Sequence, residues 1–293
     1  MEKKLFLLDA FALIYRAYFA FGNNHRYNSK GLNTSAILGF TNSLIEVLQK
    51  EKPTHIGVAF DSPTITLRQE AYEEYKAQRE EMPEDIRTSI PYIKQIIEAF
   101  HIPILLKDGY EADDVIGTLA KKAEKKGFYV FMMTPDKDFA QLVSDHIFIY
   151  KPSRGGKPPE IWGVKEVRER FGIERPEQVI DILALWGDAS DNIPGIPGIG
   201  EKTAIKLISR YGSIENLFKH VNELKGKLKE NVIKYQEQAV MSKALATIIT
   251  DVPIEFNENE LKYTGYDEEK LLEIFSELEF KTLARRFLGK EIV

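Results

Sequence analysis

Apolar runs in this chain repeatedly end in carboxylates. Lys4-Leu-Phe-Leu-Leu-Asp9, His55-Ile-Gly-Val-Ala-Phe-Asp61 and Tyr129-Val-Phe-Met-Met-Thr-Pro-Asp136-Lys-Asp138 share this form, and Glu111-Ala-Asp113-Asp114 opens an apolar-periodic stretch between them. Short apolar runs bounded by polar residues read as buried parallel strands. Ligands of open α/β sheets gather beyond the carboxyl ends of such strands. With Asp188 and Asp191 farther along, nine acids are candidates for one crevice. Two carboxylates about 4 Å apart repel by roughly 4 kcal/mol at an effective dielectric near 20, so a shared pocket requires counter-cations.

Apolar content of 43% and charged content of 29% over 293 residues suit one large or two smaller globular domains. The absence of cysteine excludes disulfides and thiolate zinc sites. The five histidines lack metal-ligand spacing. The apolar stretch after Met1 is interrupted by Asp9 and Arg16, and no window offers a membrane span, so a cytoplasmic protein with no membrane partner is expected. A net charge of −5 argues against a nucleic-acid partner only superficially. Setting the nine candidate ligands aside turns the balance to +4, and local patches decide.

The pattern predicts strands over 4–9, 55–61, 102–106, 129–134 and 146–150. Helices are expected over 34–50 (Ile37, Phe40, Leu44, Val47 and Leu48 on one face), 89–100 and 111–126. Residues 67–87 are dense in charge and poor in apolar anchors, which predicts a solvated helix that is mobile when free. Beyond the turn-rich Lys151–Pro159 segment, helices are expected over 164–171, 176–187, 201–210, 213–219, 227–245 and after Asp267. The resulting fold class is α/β: a mostly parallel central sheet with flanking helices over about 1–165, then a helical domain over 166–293.

Oxygen-only ligands point to Mg²⁺ or Mn²⁺ rather than zinc. Two such ions in an acidic crevice suit phosphodiester hydrolysis. Glu111 and Asp114 share a helix face, with Asp113 beside them in the first turn, where the helix macrodipole favours negative charge. In Gly195-Ile-Pro-Gly198-Ile-Gly200-Glu-Lys202-Thr203-Ala-Ile-Lys206, a P-loop reading fails because Glu201 separates Gly200 from Lys202. A helix-hairpin-helix over about 192–212 fits better. Its glycine turn leaves N–H groups for a phosphate, and Lys202, Lys206 and Arg210 line a DNA backbone without reading sequence. Lys76 and Arg79, flanked by Tyr72 and Tyr75, could grip a phosphate and stack an unpaired base.

The ordered series Asp9 with Ile14-Tyr-Arg16-Ala, Phe60-Asp61, Glu70-x-Tyr72-x-x-Tyr75-Lys76-Ala-x-Arg79, Tyr110-Glu-Ala-Asp-Asp114, Asp136-Lys-Asp138-x-x-Gln141 and Gly187-Asp-x-Ser-Asp-Asn-Ile-Pro-Gly-x-Pro-Gly-Ile-Gly-Glu-Lys-Thr-Ala204 closely resembles the 5′ nuclease domain of bacterial DNA polymerase I, kin to the flap endonucleases. The resemblance covers essentially the whole chain. It implies a PIN-like 5′ nuclease fold and two or more divalent ions held by Asp9, Asp61, Glu111, Asp113, Asp114, Asp136, Asp138, Asp188 and Asp191. It also implies a helical arch over 67–87 that passes a 5′ single strand, with Arg16, Lys76 and Arg79 at the scissile region and Tyr75 stacking nearby. The hairpin would hold duplex DNA, with Gly195, Gly198, Gly200 and Thr203 in contact and a K⁺ ion on backbone carbonyls.

The implied partners are branched or nicked duplexes with 5′ flaps and RNA primer–DNA hybrids. The implied protein is a monomer fused, or not, to a polymerase module. Its products would be a 5′ phosphate and a 3′ hydroxyl, in primer and flap removal. Ala10-Phe11 and Pro135 depart from the family's usual residues without removing a ligand. A Toprim phosphotransferase leaves Glu111-Ala-Asp-Asp and the hairpin unexplained. A haloacid-dehalogenase-like phosphatase would need Asp at Phe11, and a junction-binding module without catalysis would not need nine acids.

Overall fold

The computed structural model describes residues 2–22, 24–153 and 155–292. Six strands form one sheet: β1 (Lys4–Asp9), β2 (His55–Ala59), β3 (Ile104–Leu105), β4 (Tyr129–Met133), β5 (Ile147–Lys151) and β6 (Glu160–Trp162), in the order β3-β2-β1-β4-β5-β6. All neighbours pair parallel except β6, which closes one edge antiparallel to β5. Alternate residues of β1 feed opposite cores. Leu5 and Leu7 pack on one face of the sheet, Phe6 and Leu8 on the other, which is why the strand reads as an unbroken apolar run. Phe6 stacks on Phe131 and Phe131 on Phe148, with centroids 4.9 and 5.3 Å apart, tying the three central strands on one face.

The order of connection reverses between β1 and β4. Chain crossings run from β1 outward to β2 and β3, then return to β4 and proceed to β5. This is the switch point at which open α/β sheets leave a crevice beyond their carboxyl ends. Asp9 ends β1, and Asp136 follows β4 by three residues.

Helices α1 (Ala10–Ala20), α2 (Ser35–Lys50), α3 (Leu67–Ala71), α4 (Glu84–Ala99) and α5 (Ala112–Glu124) belong to the sheet unit. α1 starts directly at Asp9, whose Oδ1 accepts from Ala12 N at 3.1 Å as an N-cap. Sequence periodicity misses α1 because Ala-Phe-Ala-Leu-Ile-Tyr is apolar all round. Then come α6 (Val164–Phe171), α7 (Val179–Trp186), α8 (Glu201–Tyr211), α9 (Ile214–Lys219), α10 (Gly226–Lys234), α11 (Gln236–Ala246), α12 (Glu258–Leu261) and α13 (Glu268–Glu277). The single helix expected over 227–245 is broken at Tyr235 into α10 and α11.

Two expectations are corrected. Residues 67–87 are not a continuous helix: after α3 the chain passes through turns over 73–78, and Lys76 takes φ +59°. The middle of the stretch is tied down while residues 77–81 stay exposed. Tyr75 is 3% exposed, and backbone and side-chain bonds join 74–79 to 189–192. Secondly, residues 166–293 are not one separate helical body. Tyr263 N bonds Thr54 O, Asp267 N bonds Ala99 O, and Leu271, Ile274 and Phe275 of α13 join the core under α2 and α4. Residues after about 254 therefore return to the α/β unit. No helix among the described residues is long and apolar enough to cross a membrane.

Candidate metal centre and nucleic-acid face

Each acid is delivered by a different local device. Asp9 is both strand end and helix cap, and its Oδ2 accepts from Thr134 Oγ1 after β4 at 3.0 Å. Asp61 reaches across the sheet end to accept Ala112 N at 2.7 Å, in the first turn of α5. Glu111 and Asp113 stand at that same helix start. Asp136 turns back to accept Asp138 N at 2.9 Å. Asp9, Asp61, Asp113 and Asp136 thus line one cavity of about 910 Å³, together with Lys76 and Arg79. Its other wall is apolar and aromatic, built from Phe11, Tyr15, Phe19 and Phe60.

The electrostatics show the crowding. Burial, then the neighbouring Asp61, pushes the Asp9 carboxyl up to about 7. Burial with the Asp9 and Asp136 charges holds Asp113 well above the carboxylate range. Burial raises Asp136, and burial with the Asp136 charge lifts Asp138 to about 8. Asp188 goes the other way. Burial would raise it, but bonds from Ser190 and the Lys137 ammonium more than offset that and hold it low.

Asp136 is the hinge of two overlapping groups: it feels Asp9 and Asp113 on one side, and Asp138, Asp188 and Asp191 on the other. Among the described residues no three of these acids already close around a point as a finished ion cage. The donors nevertheless suit a hard cation. They are all carboxylate oxygens, burial lifts Asp138 to about 8, and among the described residues the buried Asp138 Oδ1 has no hydrogen-bond partner, the Lys137 ammonium lying 3.7 Å away.

Protein cations stand among the acids. Lys76 Nζ lies 2.6 Å from Glu111 and 3.6 Å from Asp191, Arg79 Nη2 lies 2.6 Å from Asp191, and Lys137 Nζ lies 3.1 Å from Asp188.

Several predicted roles differ in place. Asp114 is 1% exposed, and both its oxygens are taken by Arg68 in a two-pronged pair of 2.7 Å bonds, so it anchors an arginine rather than facing the cavity. Tyr75 is buried and donates to Glu111 and Asp191 at 3.0 and 3.1 Å, so its ring is not offered for stacking on a base. Tyr72 is half-buried and donates to Glu74. Arg16 turns to the carbonyls of Pro152 and Ser153, outside the acidic cavity's lining.

Gly195 is buried as well: a Cβ there would come within 2.4 Å of Gly187 N, so its φ of +57° serves close backbone packing. Gly198 (φ +84°) and Gly200 lie at the exposed turn before α8, and a Cβ on Gly200 would meet nothing within 4 Å. Thr203 is half-buried in the first turn of α8. Lys202 and Lys206 are exposed four residues apart, and no ion pair to either is found among the described residues. Sequence reading missed Arg68, the aromatic wall and Lys137. Arg68 gave no local signal, because its partners lie at residues 111–114 and 245–247.

With this geometry in view, comparison with known proteins is decisive. The 5′-3′ exonuclease N-terminal resolvase-like domain matches residues 4–172, and the 5′-3′ exonuclease C-terminal SAM fold matches 174–269. The chain belongs to the 5′-3′ exonuclease family. A 5′-3′ exonuclease of Aquifex aeolicus is 40% identical over 97% of this chain and 94% of its own length. DNA polymerase I of Bacillus subtilis is 44% identical over 99% of this chain, and that of Bacillus caldotenax 42% over 98%. The chain spans about a third of the length of these polymerases.

Among solved structures, T5 5′-exonuclease with divalent zinc ions bound covers 94% of this chain and 99% of its own, with TM-score 0.67 and 23% identity. The catalytic core of Rad2 in complex with DNA substrate covers 94% and 88%, with TM-score 0.64 and 18% identity. Both share the fold. The family shown is that of the 5′-3′ exonucleases, which are nucleases.

Proposed function

We infer that this chain is a structure-specific 5′ nuclease that hydrolyses phosphodiesters at 5′ ends and flaps, where single strand meets duplex. One observation carries the reading: acids from β1, the β2 exit, the α5 start and the β4 exit line a single cavity, with Asp9 and Asp138 held near neutral pKa. A solvent-exposed glycine turn and two exposed lysines stand on the helical side.

Asp9, Asp61, Asp113 and Asp136 would hold one Mg²⁺ or Mn²⁺ ion, and Asp136 with Asp138, Asp188 and Asp191 a second. Such ions, when bound, supply an activated water and neutralise charge on the leaving 3′ oxygen. Glu111 orients Lys76 through its 2.6 Å contact, and Asp191 does the same for Arg79. Released toward a substrate, these two cations offset charge growing on the phosphate oxygens. Asp114 holds Arg68 beneath them. Phe11, Tyr15 and Phe19 give an unpaired base an apolar surface beside the acids. Gly198, Gly200, Lys202 and Lys206 grip duplex phosphates, with K⁺ as a candidate ion at the turn. Cleavage leaves a 5′ phosphate and a 3′ hydroxyl.

The related T5 and Rad2 structures contain divalent ions or DNA substrate, which supports the metal and the nucleic-acid partner. Primer and flap removal in the cytoplasm, on flapped duplexes or RNA–DNA hybrids, fits this chemistry. The chain would act as a monomer, alone or ahead of a polymerase module as in its Bacillus relatives. The test is an end-labelled 5′-flap duplex with and without Mg²⁺. Cleavage near the junction only with the metal supports the reading, whereas flap binding without metal-dependent cleavage makes the chain a binding module.

A further inference from the structure

The segment Leu245–Ile249, which runs from the last residues of α11 into the loop beyond it, is clasped by three side chains of the α/β unit. Arg68 donates through Nε to Leu245 O at 2.9 Å and through Nη2 to Thr247 O at 2.7 Å. Its remaining N–H groups meet Asp114 and Glu111, so all five donors are used. Gln141 donates to Ala246 O at 2.8 Å and accepts from Ile248 N at 2.9 Å. Asp114 Oδ1 also accepts Ile249 N at 2.9 Å. Asp114 and Gln141 sit at acid-bearing ends, the first in the opening turn of α5 and the second three residues after Asp138.

The other end of α11 holds the hairpin. Gln238 donates to Gly195 O at 2.7 Å, and Ser242 accepts from Gly195 N at 3.1 Å. About two turns of helix, roughly 10 Å of rigid rod, separate Gln238 from Leu245, with Ser242 between them.

We propose that Arg68, Gln141 and Gln238 are positioning residues that set which phosphodiester is cut. They fix the distance between the hairpin that grips the duplex and the carboxylates that line the cavity. The inference rests on the duplex-binding role assigned to the hairpin under the proposed function. Directional bonds from a planar guanidinium and a buried amide admit little sliding. Along one strand successive nucleotides are about 3.4 Å apart, so the clasp must hold the two parts to within that span for one bond to be favoured.

The experiment measures product-length distributions from an end-labelled flap in single-turnover conditions, beside flap affinity by fluorescence anisotropy with Ca²⁺. Gln141→Ala and Gln238→Ala should spread cleavage over adjacent nucleotides, with affinity changed by no more than about 3-fold. The double variant should spread it no further than the worse single, since both break one link. A protein merely destabilised would cut more slowly at the same bond, and that unchanged ladder in both variants would overturn the proposal. Gln238 is half-buried and carries the test alone should Gln141→Ala not fold. Lys202→Ala with Lys206→Ala separates the premises. Unchanged flap affinity there retires the hairpin as duplex grip, and lost affinity with unchanged ladders in the glutamine variants retires the clasp alone.

Discussion

The ammonium of Lys76 rests 2.6 Å from Glu111 Oε1, inside an acidic crevice and on a backbone turned to φ +59°. A lysine held this way neutralises part of the repulsion that the crowded carboxylates create, and it does so from a segment joined to 189–192 by hydrogen bonds. The crevice therefore has an internal counter-ion in place before any substrate arrives.

Lys76→Ala should slow the single-turnover cleavage step by about 100-fold or more while flap affinity moves by about 3-fold or less, because a charge on the reacting phosphate acts chiefly in the transition state. Rapid-quench kinetics beside equilibrium binding measures both. Equal losses in rate and affinity would reduce Lys76 to an ordinary phosphate contact.

Asp136→Ala and Asp114→Ala should fail differently. Burial first, then the Asp191 and Asp188 charges, disfavours the Asp136 carboxylate, so its removal should abolish cleavage in Mg²⁺ and leave the metal-free melting temperature unchanged or raised. Asp114 neutralises a buried arginine, and breaking such a pair costs about 3–5 kcal/mol. Calorimetry on the two variants distinguishes them, and equal melting temperatures would contradict the assignment.

Stability without metal should fall as pH rises. Asp9 and Asp138 have folded pKa values of about 7 and about 8, above the ordinary 3.8, so between those limits the folded state binds more protons than the unfolded. Their neutral forms favour the fold below about pH 4, and that advantage is lost progressively as pH climbs through about 7 and 8. Melting curves in EDTA from about pH 5 to about pH 9 should slope downward, and Mg²⁺ should flatten the slope. A rising metal-free curve would show that the acids are not crowded.

Much of the site is legible locally. The strand ends at Asp9, Asp61 and Asp136 are readable because burial on both sheet faces forces continuous apolar runs, and the polar residues just past such a run lie at the crevice. The features that escape are non-local. Glu111 and Asp114 share a helix face, but only the fold reveals that Arg68 arrives from 43 and 46 residues away and takes Asp114 for itself. Tyr75 reads as a stacking platform beside basic residues, whereas the buried Glu111 and half-buried Asp191 draw its hydroxyl inward. Residues 67–87 read as helical from their i,i+4 charges. Those charges find partners across the molecule instead, as Arg79 does on Asp191.

Lys202→Ala and Lys206→Ala should weaken binding to flaps of any sequence alike, and each should lower the slope of log affinity against log salt by about one. Salt titrations by anisotropy decide it. A sequence-dependent loss would mean that α8 reads bases.

If the cavity is a metal centre, Asp9, Asp61, Asp113 and Asp136 share divalent ions. Crystals soaked in Mn²⁺ and measured for anomalous scattering test it directly. Peaks are expected within coordination distance of these carboxylates, with Asp136 touching both sites and Asp114 touching none. Peaks confined to other surfaces, or an empty cavity at saturating Mn²⁺, would contradict it.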